Sequence, residues 1–315
     1  MSRGNVLLTG ASGFVGLHMG RLLAERGYRV VGLQRGGTAL PQGVEPLSVD
    51  LSDPAALSGL PREWDLVVHL AGASIPSLFN TVAPIGQNVT MTLNLLEHLM
   101  SARVLLVSSC HVYAPSVERK REDHPVQPQG RYGLSKHLIE QIAPHYQRKL
   151  DLRVARAFNH LGPGQRAELV VPSLLRRLAS ARGGDRSPLV MHGLNSVRDF
   201  IDVRDVAEAY LAILELPAPR ERVFNVCTGL GRNIGDLAAE VLRILGANRE
   251  VVFEQRALSS DDNPVLVGDP GRLREASGFA PRRTLTDSLQ AMVAALPAER
   301  PGRASGARSG GGDAV

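Results

Sequence analysis

The chain has 315 residues, enough for about two domains or one large α/β unit, and 43% hydrophobic with 21% charged residues excludes disorder throughout. A net charge of +5, from 36 Lys and Arg against 31 Asp and Glu, selects no class of partner by itself. Two cysteines, Cys110 and Cys227, are too few for a disulfide framework or a structural zinc centre. With no leader-like start and no run of about 20 apolar residues, a cytoplasmic protein without a membrane span is expected.

In chain order, short apolar runs at 6–9, 29–33, 66–70, 104–107 and 152–158 alternate with stretches of helical period at 14–26, 88–102 and 132–149. Runs that are apolar at nearly every position are buried on both faces, as parallel strands between helices must be. The pattern predicts a doubly wound parallel α/β sheet. After residue 158 it loosens. "LVVPSLLRRLAS" has the period of an amphipathic helix, "RDFIDVRDVAEAYLAIL" reads as a strand and a helix capped by Asp202, and "RVFNVCTG" reads as another strand. The predicted division places 1–160 with about 196–228 in the sheet domain, and 161–195 with 229–297 in a smaller α/β cap. Residues 298–315, rich in Gly, Ser, Arg and Ala, are expected to be a disordered tail.

"LLTGASGFVG" sets Gly10, Gly13 and Gly16 directly after the first strand and at the opening of a helix. Such glycines allow a tight turn and the approach of backbone N–H groups to a pyrophosphate. A glycine triplet alone is a common turn; its place in the first βα turn of an α/β chain makes it a dinucleotide signal. The second strand ends in Gln34 and Arg35 where an acidic residue would hold the ribose of NAD. Arg35 can pair with the 2′-phosphate of NADP(H), which is therefore the expected cofactor, the alternative being a solvated loop charge. Asp50 in "SVDLSD" is a candidate for the adenine amino group or for a helix cap.

"RYGLSKHLIE" puts Tyr132 and Lys136 four residues apart, on one helix face. A nearby ammonium is expected to lower the phenol pKa and to hold ribose hydroxyls. Upstream, the strand in "LLVSSCHVY" brings Ser108 and Ser109 to the carboxyl edge of the sheet, where such folds bind ligands.

With these strings and "HLAG", "FNHLGPGQ", "VRDFIDVRDVAEAYL" and "FNVCTG", the sequence resembles an extended short-chain dehydrogenase/reductase of the nucleotide-sugar-modifying kind, over about residues 5–295. The resemblance implies a Rossmann-type fold and a catalytic set of Ser109, Tyr132 and Lys136. It also implies cofactor contacts from Gly10, Gly13, Phe14, Gly16, Arg35, Asp50, Leu51, Leu70, Ala71 and Lys136, and a nucleotide-diphosphate sugar as substrate. Dehydratases of the family carry an acidic pair after the catalytic Ser or Thr; here those positions are Cys110 and His111. Fucose-forming epimerase-reductases place a His where Leu169 stands, and leucine moves no proton. A 4-ketoreductase needs neither group. The late "NPVLVGDPGRLREASGFAP" is most similar to GDP-4-keto-6-deoxymannose reductases, although Ser259 and Arg256 stand near the point where that group has a diphosphate-binding Arg. A dTDP-sugar ketoreductase, an epimerase and a non-catalytic dinucleotide-binding regulator are the alternatives.

Four residues are expected on the substrate side: His111, Asn159, Arg177 and Arg198. Each has a plainer reading: a pocket-wall histidine, a turn-fixing Asn, a solvated helix face for Arg177, and an ion pair with Asp199 or Asp202 for Arg198. No His, Cys and carboxylate cluster has metal spacing. The basic tail lacks interleaved aromatics, so nucleic acid is not an expected partner. The family resemblance further implies a homodimer through a four-helix interface built on "NVTMTLNLLEHL" and "YGLSKHLIEQI".

Overall fold

The computed structural model describes residues 2–166, 169–179, 189–193, 196–246, 251–255 and 263–296. Six strands, β1 (Asn5–Thr9), β2 (Arg29–Gln34), β3 (Val44–Ser48), β4 (Glu63–His69), β5 (Ser101–Ser109) and β6 (Asp151–Ala157), lie side by side in the order 3-2-1-4-5-6. Every pairing among them is parallel. The central strands are buried along their apolar runs, at 6–9, 66–69 and 104–106, as burial between helices on both faces requires. β3 has four exposed residues of five and sits at the sheet edge, which is why no apolar run announces it.

Helices α1 (Phe14–Glu25), α2 (Ala83–His98) and α3 (Arg131–Tyr146) follow β1, β4 and β5. The α2 helix starts five residues before the expected 88, with Pro84 in its first turn, where the missing N–H costs nothing. Beyond β6 come β7 (Asn159–Leu161), α4 (Val170–Ala179), β8 (Leu189–Gly193), β9 (Val197–Asp202) and α5 (Val203–Glu215). Then follow β10 (Val223–Val226), β11 (Gly231–Asn233), α6 (Ile234–Leu245), β12 (Val251–Gln255), β13 (Val265–Leu266), α7 (Gly271–Ser277) and α8 (Leu285–Ala294).

The main sheet gains a seventh parallel strand when β10 pairs with β6. One of its faces packs against α1 and α5, with Leu8, Met19, Val206 and Tyr210 in that core. The opposite face packs against α2 and α3 through Leu95, Leu106, Ile139 and Ala143. The fold is the doubly wound α/β sheet of a Rossmann-type domain. β9 belongs instead to a small sheet with β11, β13 and β7. A separate apolar cluster of α4, α6 and α8 includes Leu174, Val241 and Leu289.

Asp202 caps α5 by accepting from the Arg204 N–H at 2.8 Å, as its position before the helical period predicts. The sheet's strand order reverses between β1 and β4. In open α/β sheets such a switch point opens a crevice at the carboxyl ends of the strands.

Candidate active site

A cavity of about 800 Å³ lies at that carboxyl edge. Its wall begins at the loop between β1 and α1. Gly10 sits at φ +67°, in the left-handed region, and a Cβ there would stand 2.8 Å from the Ala71 nitrogen. A Cβ on Gly16 would run into the Gly10 carbonyl. No side chain caps α1, and its first turn holds no acidic residue, so the amides of Phe14, Val15 and Gly16 remain available to an anion. This cradle fits a dinucleotide pyrophosphate. Phe14 closes it from the side, stacked on His160 with ring centroids 5.9 Å apart and meeting His18 edge-on at 5.6 Å.

Leu51, Leu70, Ala71, Gln34 and Arg35 also line the cavity. Gln34 is buried and its Oε1 has no hydrogen-bond partner, while Arg35 is exposed at the rim. Asp50 does not line the cavity: its Oδ1 turns back to accept from the Ser52 N–H at 2.9 Å, and Asp53 caps the following helical turn. Short-range Asx geometry outcompetes reach into the cleft at Asp50.

β5 delivers Ser109, and α3 delivers Tyr132 and Lys136, into the same cavity. Ser109 Oγ accepts from the His111 N–H at 3.3 Å and lies close enough to the Tyr132 phenol to favour its ionised form. Gly133 makes the close approach of α3 possible, since any Cβ there would strike the His111 carbonyl. The Tyr132 ring is wedged between Phe79 and His111, each with its centroid 5.5 Å away. Lys136 Nζ donates to the Val107 carbonyl at 3.0 Å.

The expected lowering of the Tyr132 pKa by Lys136 does not occur. Burial pushes the phenol up to about 12, only partly countered by the neighbouring Ser109 side chain, and burial lowers Lys136 to about 8. Tyr132 is thus held as a proton donor. Burial, reinforced by the positive charge of Arg198, lowers His111 to about 4 and keeps it neutral at pH 7. Cys110 is pushed up to about 12 by burial, which removes it as a thiolate nucleophile.

Among the substrate-side residues, His111, Asn159 and Arg198 line the cavity, and Asn159 Nδ2 is buried without a partner. Arg198 donates to the Val197 and Pro264 carbonyls at 3.1 and 3.3 Å. Asp199 accepts instead from the Thr228 N–H and hydroxyl and from the Gly229 and Gly268 amides, while Asp202 is engaged by Arg204 and Ser288. Arg177 is exposed on α4 and does not line the cavity, because the apolar face of α4, with Leu174 and Leu175, is the one turned inward. Leu169 stands in the cavity wall. Arg256 and Ser259, and the tail from 298, lie outside the described residues.

A hydrogen-bonded chain beneath the cavity escaped the sequence reading. The Ala71 N–H donates to Thr9 Oγ1 at 3.1 Å, Thr9 Oγ1 contacts His69 Nδ1 at 2.9 Å, and His69 Nε2 contacts Thr92 Oγ1 at 3.0 Å. Since Thr92 Oγ1 donates onward to the Asn88 carbonyl, it accepts from His69, which fixes a neutral Nε2–H tautomer. Burial and the Lys136 charge hold His69 at about 3, in keeping with that form. The Asn88 amide continues the chain, accepting from the Ala73 N–H and donating to Ser135 Oγ, next to Lys136. "HLAG" was visible as a string; its partners 60 and 23 residues away were not.

The family model described as "NAD dependent epimerase/dehydratase family" matches residues 6–227. The chain belongs to that family, as the fold and the Ser109, Tyr132 and Lys136 arrangement already indicate, and is an NAD(P)-dependent oxidoreductase acting on a nucleotide sugar. It is 32% identical to the GDP-6-deoxy-D-mannose reductase of Pseudomonas aeruginosa, over 91% of this chain and 95% of that one. It is 30% identical to the UDP-glucose 4-epimerase of Azospirillum brasilense, over 90% and 89%. The solved structure of RMD from Pseudomonas aeruginosa complexed with NADPH superposes with a TM-score of 0.79 at 30% identity, covering 93% of this chain and 98% of that one.

Proposed function

We propose that the protein is an NADP(H)-dependent 4-ketoreductase of a nucleotide-activated 4-keto-6-deoxyhexose, with a GDP-linked sugar as first choice and a dTDP-linked one as second. The observation that carries this reading is Tyr132, a half-buried phenol in the cavity wall, held protonated beside Ser109. Reduction of a ketone needs one proton donor at the developing alkoxide, whereas dehydration and epimerisation at C3 or C5 need further acid–base groups. The cleft offers Cys110, His111 and Leu169 at the positions where relatives keep such groups.

When bound, the reduced nicotinamide supplies a hydride. Tyr132 then gives its proton to the carbonyl oxygen that becomes the alcohol, and the Ser109 hydroxyl steadies that oxygen as charge grows on it. Lys136, as an ammonium below about pH 8, stabilises the phenolate left behind. The amides of the glycine loop hold the pyrophosphate, Gln34 meets the adenosine ribose, and Arg35 pairs with the 2′-phosphate. Arg198 and Asn159 hold the sugar nucleotide. The likeness to the GDP-6-deoxy-D-mannose reductase of Pseudomonas aeruginosa favours GDP over dTDP. The molecule works as a homodimer through α2 and α3, where Leu134 is 40% exposed and Val82, just before α2, is 69% exposed.

The test is oxidation of NADPH and NADH with GDP- and dTDP-4-keto-6-deoxyhexoses, followed by product analysis in heavy water. Consumption of NADPH with a GDP sugar, deuterium absent from C3 and C5, and a loss of about 10²- to 10⁴-fold in kcat for Tyr132→Phe are expected. Turnover of none of these sugars, or enzyme-dependent label at C3 or C5, sinks the reductase reading.

A further inference from the structure

The small sheet presents one face to the cavity. Ser196, just before β9, and Arg198 and Phe200 within it all line the cavity, as does Asn159, the partner of Phe200 on β7. Val197 and Asp199 face the other way: a Cβ on Gly231 would meet Val197 Cγ1 at 2.6 Å, and the Asp199 carboxylate is taken up by Thr228, Gly229 and Gly268. Arg232 on β11 stands directly opposite Arg198 in the antiparallel β9–β11 pair. Directly opposed residues share a face, with Cβ atoms about 4.5–5.5 Å apart, so Arg232 projects on the cavity side. Ile234, two residues further along, lines the cavity and agrees with that alternation.

Like charges directly opposite one another repel. Arg198 donates to the Val197 and Pro264 carbonyls. Arg232 is exposed and, among the described residues, makes no hydrogen bond or ion pair. Glu240 feels the charge of Arg232 but is held by Arg243 and Thr286. An anion taken up between the two guanidinium groups offsets their repulsion, and the planar guanidinium fork matches phosphate oxygens. The dinucleotide pyrophosphate belongs to the glycine loop after β1, on the main sheet. A sugar nucleotide whose reacting carbon meets Tyr132 brings a second diphosphate, which like charge drives away from the first and toward the small sheet.

We propose that Arg232 is a substrate-binding residue that, with Arg198 across the β9–β11 pair, clamps the diphosphate of the sugar nucleotide. The inference rests on the nucleotide-sugar substrate and on the place given to Arg198 above, and it holds whether the sugar chemistry is reduction or epimerisation. Its experiment separates the two questions, because it reads nucleotide binding without turnover.

The full chain, saturated with NADP+ or NAD+, whichever binds more tightly, is titrated calorimetrically with GDP, dTDP and UDP, and the diphosphate that the parent binds best is carried forward. Arg232→Gln removes the charge and should raise its Kd about three- to tenfold, the worth of a charge contact open to solvent on one side. The parent's Kd should rise more steeply with added salt than the variant's. Binding of the dinucleotide by itself should be unchanged. The melting temperature of the ligand-free variant should stay equal or rise, since one of two opposed like charges is gone. An unchanged Kd for the diphosphate overturns the proposal and leaves Arg232 a solvated surface charge. So do equal salt dependences, or an equal weakening of the dinucleotide, which would make Arg232 a purely structural residue. A parent that binds the dinucleotide but none of the three diphosphates is a different failure: it removes the nucleotide-sugar substrate, and the proposal with it.

Discussion

Lys136 carries its ammonium into a cleft where burial works against charge, with Nζ held on the Val107 carbonyl and only 7% of the residue exposed. Its pKa of about 8 in the fold lies below the ordinary lysine value of 10.5, so between these two values the unfolded chain binds more protons than the folded one. Stability from this group therefore rises with pH across that window, and at pH 7 the buried charge is a cost. Lys136→Met should be more stable than the parent at pH 7, by on the order of 2–3 kcal/mol. The gap should narrow as pH rises through about 8, while reductive turnover is lost at every pH. Melting curves of both proteins from pH 7 to 10 check this; a gap that stays constant with pH would mean that Lys136 is not the charged, buried group described. The chain from Thr9 through His69 to Thr92 and Asn88 complements it, because His69 stays neutral and adds no second positive charge beside Lys136.

At the scale of elements, the site depends on how α3 is seated. Its buried Glu140 pairs with Arg156 of β6 at 2.9 and 2.8 Å, and the Arg156 guanidinium also lies 4.8 Å from the centre of the Tyr113 ring. Both partners of the pair are less than a tenth exposed. Removing one partner of such a pair leaves an uncompensated charge in the core. Glu140→Ala should lower unfolding free energy by about 3–5 kcal/mol, as read by urea denaturation. A loss below about 1 kcal/mol would show that solvent reaches Arg156 and that other contacts seat α3. Here too the sequence was only partly informative. The four-residue spacing of Tyr132 and Lys136 revealed their shared helix face, and "SSCHVY" revealed the strand end. The Glu140 and Arg156 partnership joins residues of no shared pattern, and β3 lacked the apolar period that exposes a strand to sequence reading.

At the scale of the whole molecule, two apolar layers sandwich the seven-stranded sheet, and the small sheet with α4 and the start of α6 completes the wall of the cavity. No helix among the described residues is long and apolar enough to cross a membrane. Light scattering coupled to size exclusion should give twice the chain mass of 33.8 kDa. Leu134→Glu, placing a charge on the outer face of α3, should shift the protein toward the monomer; a monomeric parent would end the dimer proposal. Local patterns determined the strand–helix alternation, the glycine turn and the helical pairing of Tyr132 with Lys136, because backbone geometry and hydrophobic period act over a few residues. Only the tertiary structure decided which polar atoms are buried and what they meet. It raised the Tyr132 pKa where neighbouring charge alone predicted lowering, and it turned Asp50 and Arg177 away from the cavity. Desolvation and long-range contacts depend on what surrounds a group in three dimensions, and no local spacing encodes that.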